Sequence, residues 1–189
     1  MRLLYDRCAG LDIHKRTVNA CIRVCRDGNI DIETAVFGTF TEQLRELGNW
    51  LRKHNIQQVA MESTGVYWIP VWNILEQCGD FELMLLNPQQ VRALPGAKTD
   101  RREARRIAEL LQYGLLRGSF IAPRPVRELR DLTRRRTHLQ CDRNRLINRI
   151  GRLLETANIK LASVVRDITG RTGTPLISQC RYEARSASE

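Results

Sequence analysis

CAGLDIHKRTVNACIRVCRDGNIDIETAVF, residues 8–37, is the stretch whose reading decides the fold. Cys8 to Ile13 is an apolar run closed by Asp12 and His14. Thr17 to Cys25 alternates, with Val18, Ala20, Ile22 and Val24 on one face, and Ile30, Ile32 and Thr34 to Phe37 alternate again. A period of two marks half-buried strands. Between the second and third runs, Asp27-Gly28-Asn29 supplies residues that tolerate positive φ, so these strands form a hairpin. A few polar residues join the first strand to the second. The three runs therefore make an antiparallel meander.

Downstream the period changes. Leu44, Leu47 and Leu51 recur at helical spacing between Thr41, a plausible cap, and His54. Gln57–Glu62 reads as a short strand, Val66–Cys78 as an apolar helix and Phe81–Leu86 as another strand. A short helix begins at Pro88, and Asp100–Tyr113 is amphipathic, with Ala104, Ile107, Ala108, Leu110 and Leu111 on its apolar side. Strands separated by helices pair in parallel through right-handed crossovers. A meander followed by alternating helices and strands is the ribonuclease-H-like order. The expected fold is α/β, a mixed sheet with helices on both faces.

From Val126 to Ala157 the pattern is one long helix. Leu129, Leu132, Arg136, Leu139, Arg143, Leu146, Ile150, Leu153 and Ala157 fall at spacings of three and four, a heptad seam interrupted by two arginines. The expected element is a basic coiled-coil helix that drives homo-oligomerisation; a helix packed on its own domain is the alternative.

The 189 residues can bury one proper core and a helical extension. A hydrophobic fraction of 42% and a mean hydropathy of −0.38 fit a soluble protein, and no apolar run is long enough to span a bilayer. No signal peptide is read at the start, and six scattered cysteines without a C-x-x-C pair read as reduced thiols, so the expectation is a cytoplasmic protein without membrane attachment. Net charge is +10. Residues 98–152 hold 16 Lys/Arg against 6 Asp/Glu, leaving 15 of each sign elsewhere. A neutral body with one basic segment points to a polyanion partner, because clustered cations release phosphate counterions. Candidate nucleic-acid contacts are Lys15, Lys98, Arg101, Arg102, Arg105, Arg134, Arg135, Arg136 and Arg143.

Candidate chemistry rests on four acids. Asp12 and Glu62 end predicted neighbouring strands, and Asp100 and Glu103 lie three apart at a helix start, on one face. Residues at such strand ends meet at one edge of an open sheet. Converging carboxylates repel unless divalent cations neutralise them, and two Mg²⁺ ions can serve phosphoryl transfer. Tyr67, Trp68 and Trp72 share one helical side and read as core rather than a stacking platform.

Gly10-Leu11-Asp12-Ile13-His14-Lys15, Met61-Glu62-Ser63-Thr64-Gly65-Val66-Tyr67-Trp68, Asn87-Pro88 and Lys98-Thr99-Asp100 resemble the DEDD-type insertion-sequence transposases related to the Piv DNA invertase, over about residues 8–173. The resemblance implies a RuvC-like domain in which Asp12, Glu62 and Asp100 bind Mg²⁺, with Mn²⁺ as an alternative, for DNA cleavage and strand transfer. Glu103 stands where members carry a fourth acid as Asp. It also implies DNA as substrate, a structured guide RNA in characterised relatives, and a second domain bearing a nucleophilic serine. The expected organisation is a metal-binding domain over 1–118, the basic helix over 124–160, the start of a linker over 161–173 and a disordered, frameshifted or truncated tail over 174–189. A chain so truncated is expected to be inactive alone. The alternative is a non-catalytic nucleic-acid-binding and oligomerisation module with a vestigial acidic site. A sugar-kinase-like ATPase is disfavoured, since Asp12 to Thr17 contains no glycine for a phosphate loop.

Overall fold

The computed structural model describes the backbone of residues 3–62, 65–88 and 100–186, and the side chains of those spans except at 100–102 and 180–186. The chain divides into two compact units, residues 1–121 and 122–189.

The first unit opens with β1 (Arg7–Ile13), β2 (Thr17–Arg26) and β3 (Asn29–Gly38), paired antiparallel. Asp27 and Gly28 turn the β2–β3 hairpin at φ 49° and 83°, the left-handed pair of a tight turn that matches strand twist. Helix α1 (Thr41–Lys53) leads to β4 (Gln58–Glu62), then α2 (Trp68–Cys78), β5 (Glu82–Leu86) and α3 (Asp100–Gln112). The sheet order is β3-β2-β1-β4-β5, with β4 parallel to β1 and β5 parallel to β4. This is the mixed, ribonuclease-H-like arrangement expected from the alternation.

One detail differs from the sequence reading. Thr41 is the first helical residue of α1 rather than its cap; Phe40 takes the extended cap position and makes no side-chain bond. The short helix expected from Pro88 lies essentially outside the described residues.

Strand alternation sorts the sheet into two cores. Ala9, Leu11 and Ile13 of β1, with Val18 to Val24 on alternate positions of β2, pack with Leu44, Leu47, Leu51, Val71 and Leu75 of α1 and α2. The intervening residues face α3, and at mid-sheet they are small: Cys8 and Ala60 cluster with Ile107 and Leu111, and Cys21 with Ala104 and Ala108. Cys8 donates its thiol to Ala108 O at 3.3 Å, and burial pushes that thiol up to about 12. A buried cysteine here acts as a small apolar spacer.

Small residues on both sides bring α3 down onto the strands. At Gly10 the approach is closest: a Cβ there would lie 2.3 Å from Ala104 O and 2.4 Å from Ala108 N. At the opposite end of the same interface, buried Arg23 donates to Gln112 Oε1 at 2.7 Å and lies 3.9 Å from Glu109. Gln112 O in turn accepts from the amides of Leu4 and Tyr5.

The second unit begins with α4 (Arg124–Thr156), where Pro125 occupies the first turn and costs no helical bond. At 1.5 Å per residue its 33 residues extend about 50 Å. None of them is buried, and Leu129, Leu132, Leu139, Leu146 and Leu153 are all more than half exposed. Helix α5 (Leu161–Val164) follows, and Ile168 approaches Gly151 of α4. Arg143, one of the two arginines in the seam, donates to Thr169 Oγ1 at 3.2 Å. Gly173–Ser186, where the sequence lacks periodicity and predicts a disordered tail, forms helix α6. Among the described residues no helix is long and apolar enough to cross a membrane.

Candidate active site

β1 contributes Asp12 at its carboxyl end. Its side chain points to the α3 face, as that of Cys8 does, because strand side chains alternate. The β1–β4 pairing aligns Gly10 with Ala60 and Leu11 with Met61, so Asp12 and Glu62 are the next residues along adjacent parallel strands. Both are buried, Asp12 at 3% and Glu62 at 7% exposure. Two carboxylates thus end neighbouring strands on one face of the sheet.

Helix α3 adds a third. Gly10 sets the helix against β1, Ala104 lies over that contact, and Glu103 precedes Ala104 at the amino-terminal end of the helix. Burial holds the Asp12 carboxyl above the usual carboxylate range, and the like charge of Glu103 raises it further. His14 and Asn19 act in the opposite sense. His14 Nε2 lies 3.0 Å from Asp12 Oδ2, and Asn19 Nδ2 donates to the same oxygen at 3.5 Å.

Asn19 is a site residue that the sequence did not single out. It sits opposite Asp12 in the β1–β2 register and is buried at 8% exposure. It also lines an open cavity of about 310 Å³ with Thr34, Val36 and Ala104. Sequence patterning placed it on the polar side of β2, but only the strand pairing brings it to Asp12.

Asp100 begins α3, and its side chain, like those of Arg101 and Arg102, lies outside the described residues, as does all of Lys98. Among the described residues no three His, Cys, Asp or Glu side chains cluster as a metal site, so Asp12, Glu62 and Glu103 do not make one by themselves. Their chemistry nevertheless suits a hard divalent cation: the donors are carboxylate oxygens, and Asp12 is a buried acid raised by a neighbouring acid. Lys15 and Arg105 are exposed, as are Arg134, Arg135, Arg136 and Arg143 in the second unit. Of the three aromatic residues assigned to the core, Trp72 is buried and Trp68 packs against it edge-on, while Tyr67 stands 38% exposed.

Residues 9–159 match the model of the IS110-type DEDD transposase family, described as a transposase. The chain belongs to this family. The matched span runs from β1 through the end of α4 and contains all four candidate acids of this transposase-family chain. Comparison with curated proteins gives no match. Among solved structures, RuvC of Thermus thermophilus is 13% identical, with 60% of this chain covering 99% of that one at a TM-score of 0.42. The Fowlpox virus resolvase in complex with Holliday junction DNA is 11% identical, with 57% covering 99% at 0.41. A Ppx/GppA family protein of Aquifex aeolicus is 14% identical, with 45% covering 36% at 0.32.

Proposed function

We propose that this chain is the part of a DNA transposase that binds nucleic acid and a divalent cation for strand cleavage and transfer. Asp12, Glu62, Asp100 and Glu103 are the proposed ligand set, with Mg²⁺ as the cation and Mn²⁺ as its substitute. The observation that carries this reading is the burial of Asp12 beside Glu62 at the ends of parallel strands, with Glu103 close enough to raise Asp12. Like charges gathered out of water are costly unless a cation joins them. A bound divalent cation would supply neutralisation of these acids and polarisation of a phosphodiester.

The chain's own residues supply the rest. His14 and Asn19 fix the Asp12 oxygen from two sides. The close seat of α3 on Gly10 fixes the height of Glu103. Exposed Lys15 and Arg105 would hold phosphates beside the acids, and Lys98, Arg101 and Arg102 are assigned the same role from the sequence. Arg134, Arg135, Arg136 and Arg143 extend the phosphate contacts to α4. Its exposed leucine seam is assigned to self-association, and structured RNA is a second polyanion for its arginines.

The test is a thermal melt of the full chain with and without Mg²⁺ or Mn²⁺. A ligand that prefers the native state raises the melting temperature. Wild type should respond and Asp12→Asn should not. Equal responses would remove Asp12 from the cation site. Incubation with supercoiled DNA then asks whether the metal-responsive chain nicks; binding without nicking in any metal would favour a non-catalytic module.

A further inference from the structure

At the end of the sheet where β1 and β4 finish, on the side of α1 and α2, the protein exposes aromatic surface. Phe40 is 79% exposed, Val66 66% and Tyr67 38%. Phe40 follows β3 and Val66 and Tyr67 follow β4, and the strand pairing puts both connections at the end of the sheet where Asp12 and Glu62 lie. Gly38, ending β3, pairs with Thr17, and the Thr39 hydroxyl donates to Lys15 O at 3.2 Å. Phe40 therefore follows directly on a residue bonded to the β1–β2 turn, the turn that carries His14 against Asp12. Val66 and Tyr67 follow Glu62 after the end of β4. Positive φ at Gly65 (56°) turns the chain, and the Tyr67 ring lies 3.8 Å from where a Cβ on that glycine would stand.

A phenylalanine left almost wholly in water forgoes a large burial gain, so its exposure needs a reason. Two cations are at hand, since Lys15 and Arg16 are both exposed in the β1–β2 turn, and the nearby acid Glu42 is paired with Arg45. Exposed aromatic faces with cations at the sheet end that carries the buried acids fit one occupant better than others. Paired bases within a duplex hide their faces in the stack, and only the phosphate backbone and groove edges reach a protein. Unpaired nucleotides offer ring faces to Phe40 and Tyr67 while their phosphates meet Lys15 and Arg16. A protein partner would not need the cations.

We propose that Phe40 and Tyr67 form a stacking rim that engages unpaired nucleotides of the strand entering the acidic site, so that the chain selects locally opened DNA over intact duplex. The proposal rests on DNA being the substrate, but not on metal binding.

Fluorescence anisotropy on the full chain, in chelator, compares a labelled duplex with the same duplex carrying a central unpaired bubble. Wild type should bind the bubble more tightly. Stacking of one base is worth enough that Phe40→Ala or Tyr67→Ala should weaken bubble binding about tenfold and leave duplex binding unchanged. Phe40→Trp should keep the preference, and its added emission should be quenched by the bubble but not by the duplex. Because Phe40 lies on the surface, its variants should melt as wild type does; if Phe40→Ala fails to fold, Tyr67→Ala and Phe40→Trp still decide. Asp12→Asn should retain the preference, which separates this rim from the cation site: loss of the metal response alone leaves the rim standing. Equal affinity of wild type for bubble and duplex overturns the proposal. So does equal loss of both in Phe40→Ala, or a change of oligomeric state in that variant, which would assign the rim to a protein interface.

Discussion

Asp12 carries an electrostatic cost that can be read out with pH. Its folded carboxyl is raised, by burial first and by Glu103 second, so the folded state holds this proton more tightly than the unfolded chain does. Stability from this group is therefore greatest below the unfolded carboxylate value near 3.8 and falls as pH rises through the raised folded value. Above that window the penalty is fully present. Asp12→Asn removes it, so the metal-free variant should melt higher than wild type at neutral pH. The gain should vanish under acid conditions. A variant less stable than wild type throughout would mean that the His14 and Asn19 contacts outweigh the cost of burial. At this scale the sequence was informative about Asp12 and Glu62, because both end apolar strand patterns. It was silent about Asn19 and Arg23, whose roles depend on which residue lies across the sheet.

At the scale of elements, the alternation and turn chemistry of residues 8–37 sufficed for the meander, and helical spacing located α1, α2 and α3 to within a few residues. The close seat of α3 was not legible, since no local pattern says how near two backbones come. It follows from Gly10, Cys21, Ala104 and Ala108 meeting across one interface. Gly10→Ala tests the seat directly. Its added Cβ would collide with helix backbone, which cannot rotate away as a side chain can. Overpacking of this kind costs about 1–3 kcal/mol or more. Urea denaturation should show that loss, and a displaced Glu103 should weaken the Mg²⁺ response as well. An unchanged midpoint would mean that α3 sits higher than described. Tyr67 illustrates the reverse difficulty: the sequence reads it with Trp68 and Trp72 as core, yet it stands partly in water.

At the scale of the molecule, much of the basic segment noted in the sequence falls on the long helix α4, none of whose residues is buried. Arg124 and Arg145 are paired with Glu128 and Asp142, respectively, whereas Arg134, Arg135 and Arg136 form an exposed run. DNA binding should therefore fall steeply with salt, by about a thousandfold or more between 50 and 200 mM if six to ten phosphates are contacted. Replacing the three arginines together should flatten that slope; an unchanged slope would move the phosphate contacts elsewhere. The leucine seam on the same helix is a separate matter. Leu146→Asp should dissociate a seam-mediated dimer in light scattering, and a wild-type monomer at tens of micromolar would reject self-association.

The central position of β1 also has a kinetic meaning. On one side it pairs with β2, its immediate neighbour in the chain; on the other it pairs with β4, some 50 residues away at Gly10 and Ala60. Closing the shorter loop costs less entropy, so the meander is the natural nucleus and the crossover to β4 comes later. Asp12 then folds first into uncrowded surroundings, and its repulsion with Glu103 arises only as α3 docks. Mutual repulsion that appears after the transition state leaves refolding untouched and hastens escape from the native state. A cation bound by these acids should therefore act as a latch: in stopped-flow experiments Mg²⁺ should slow unfolding while the refolding rate stays as it was, and the lifetime of the assembled sheet should be set by what occupies its acidic edge.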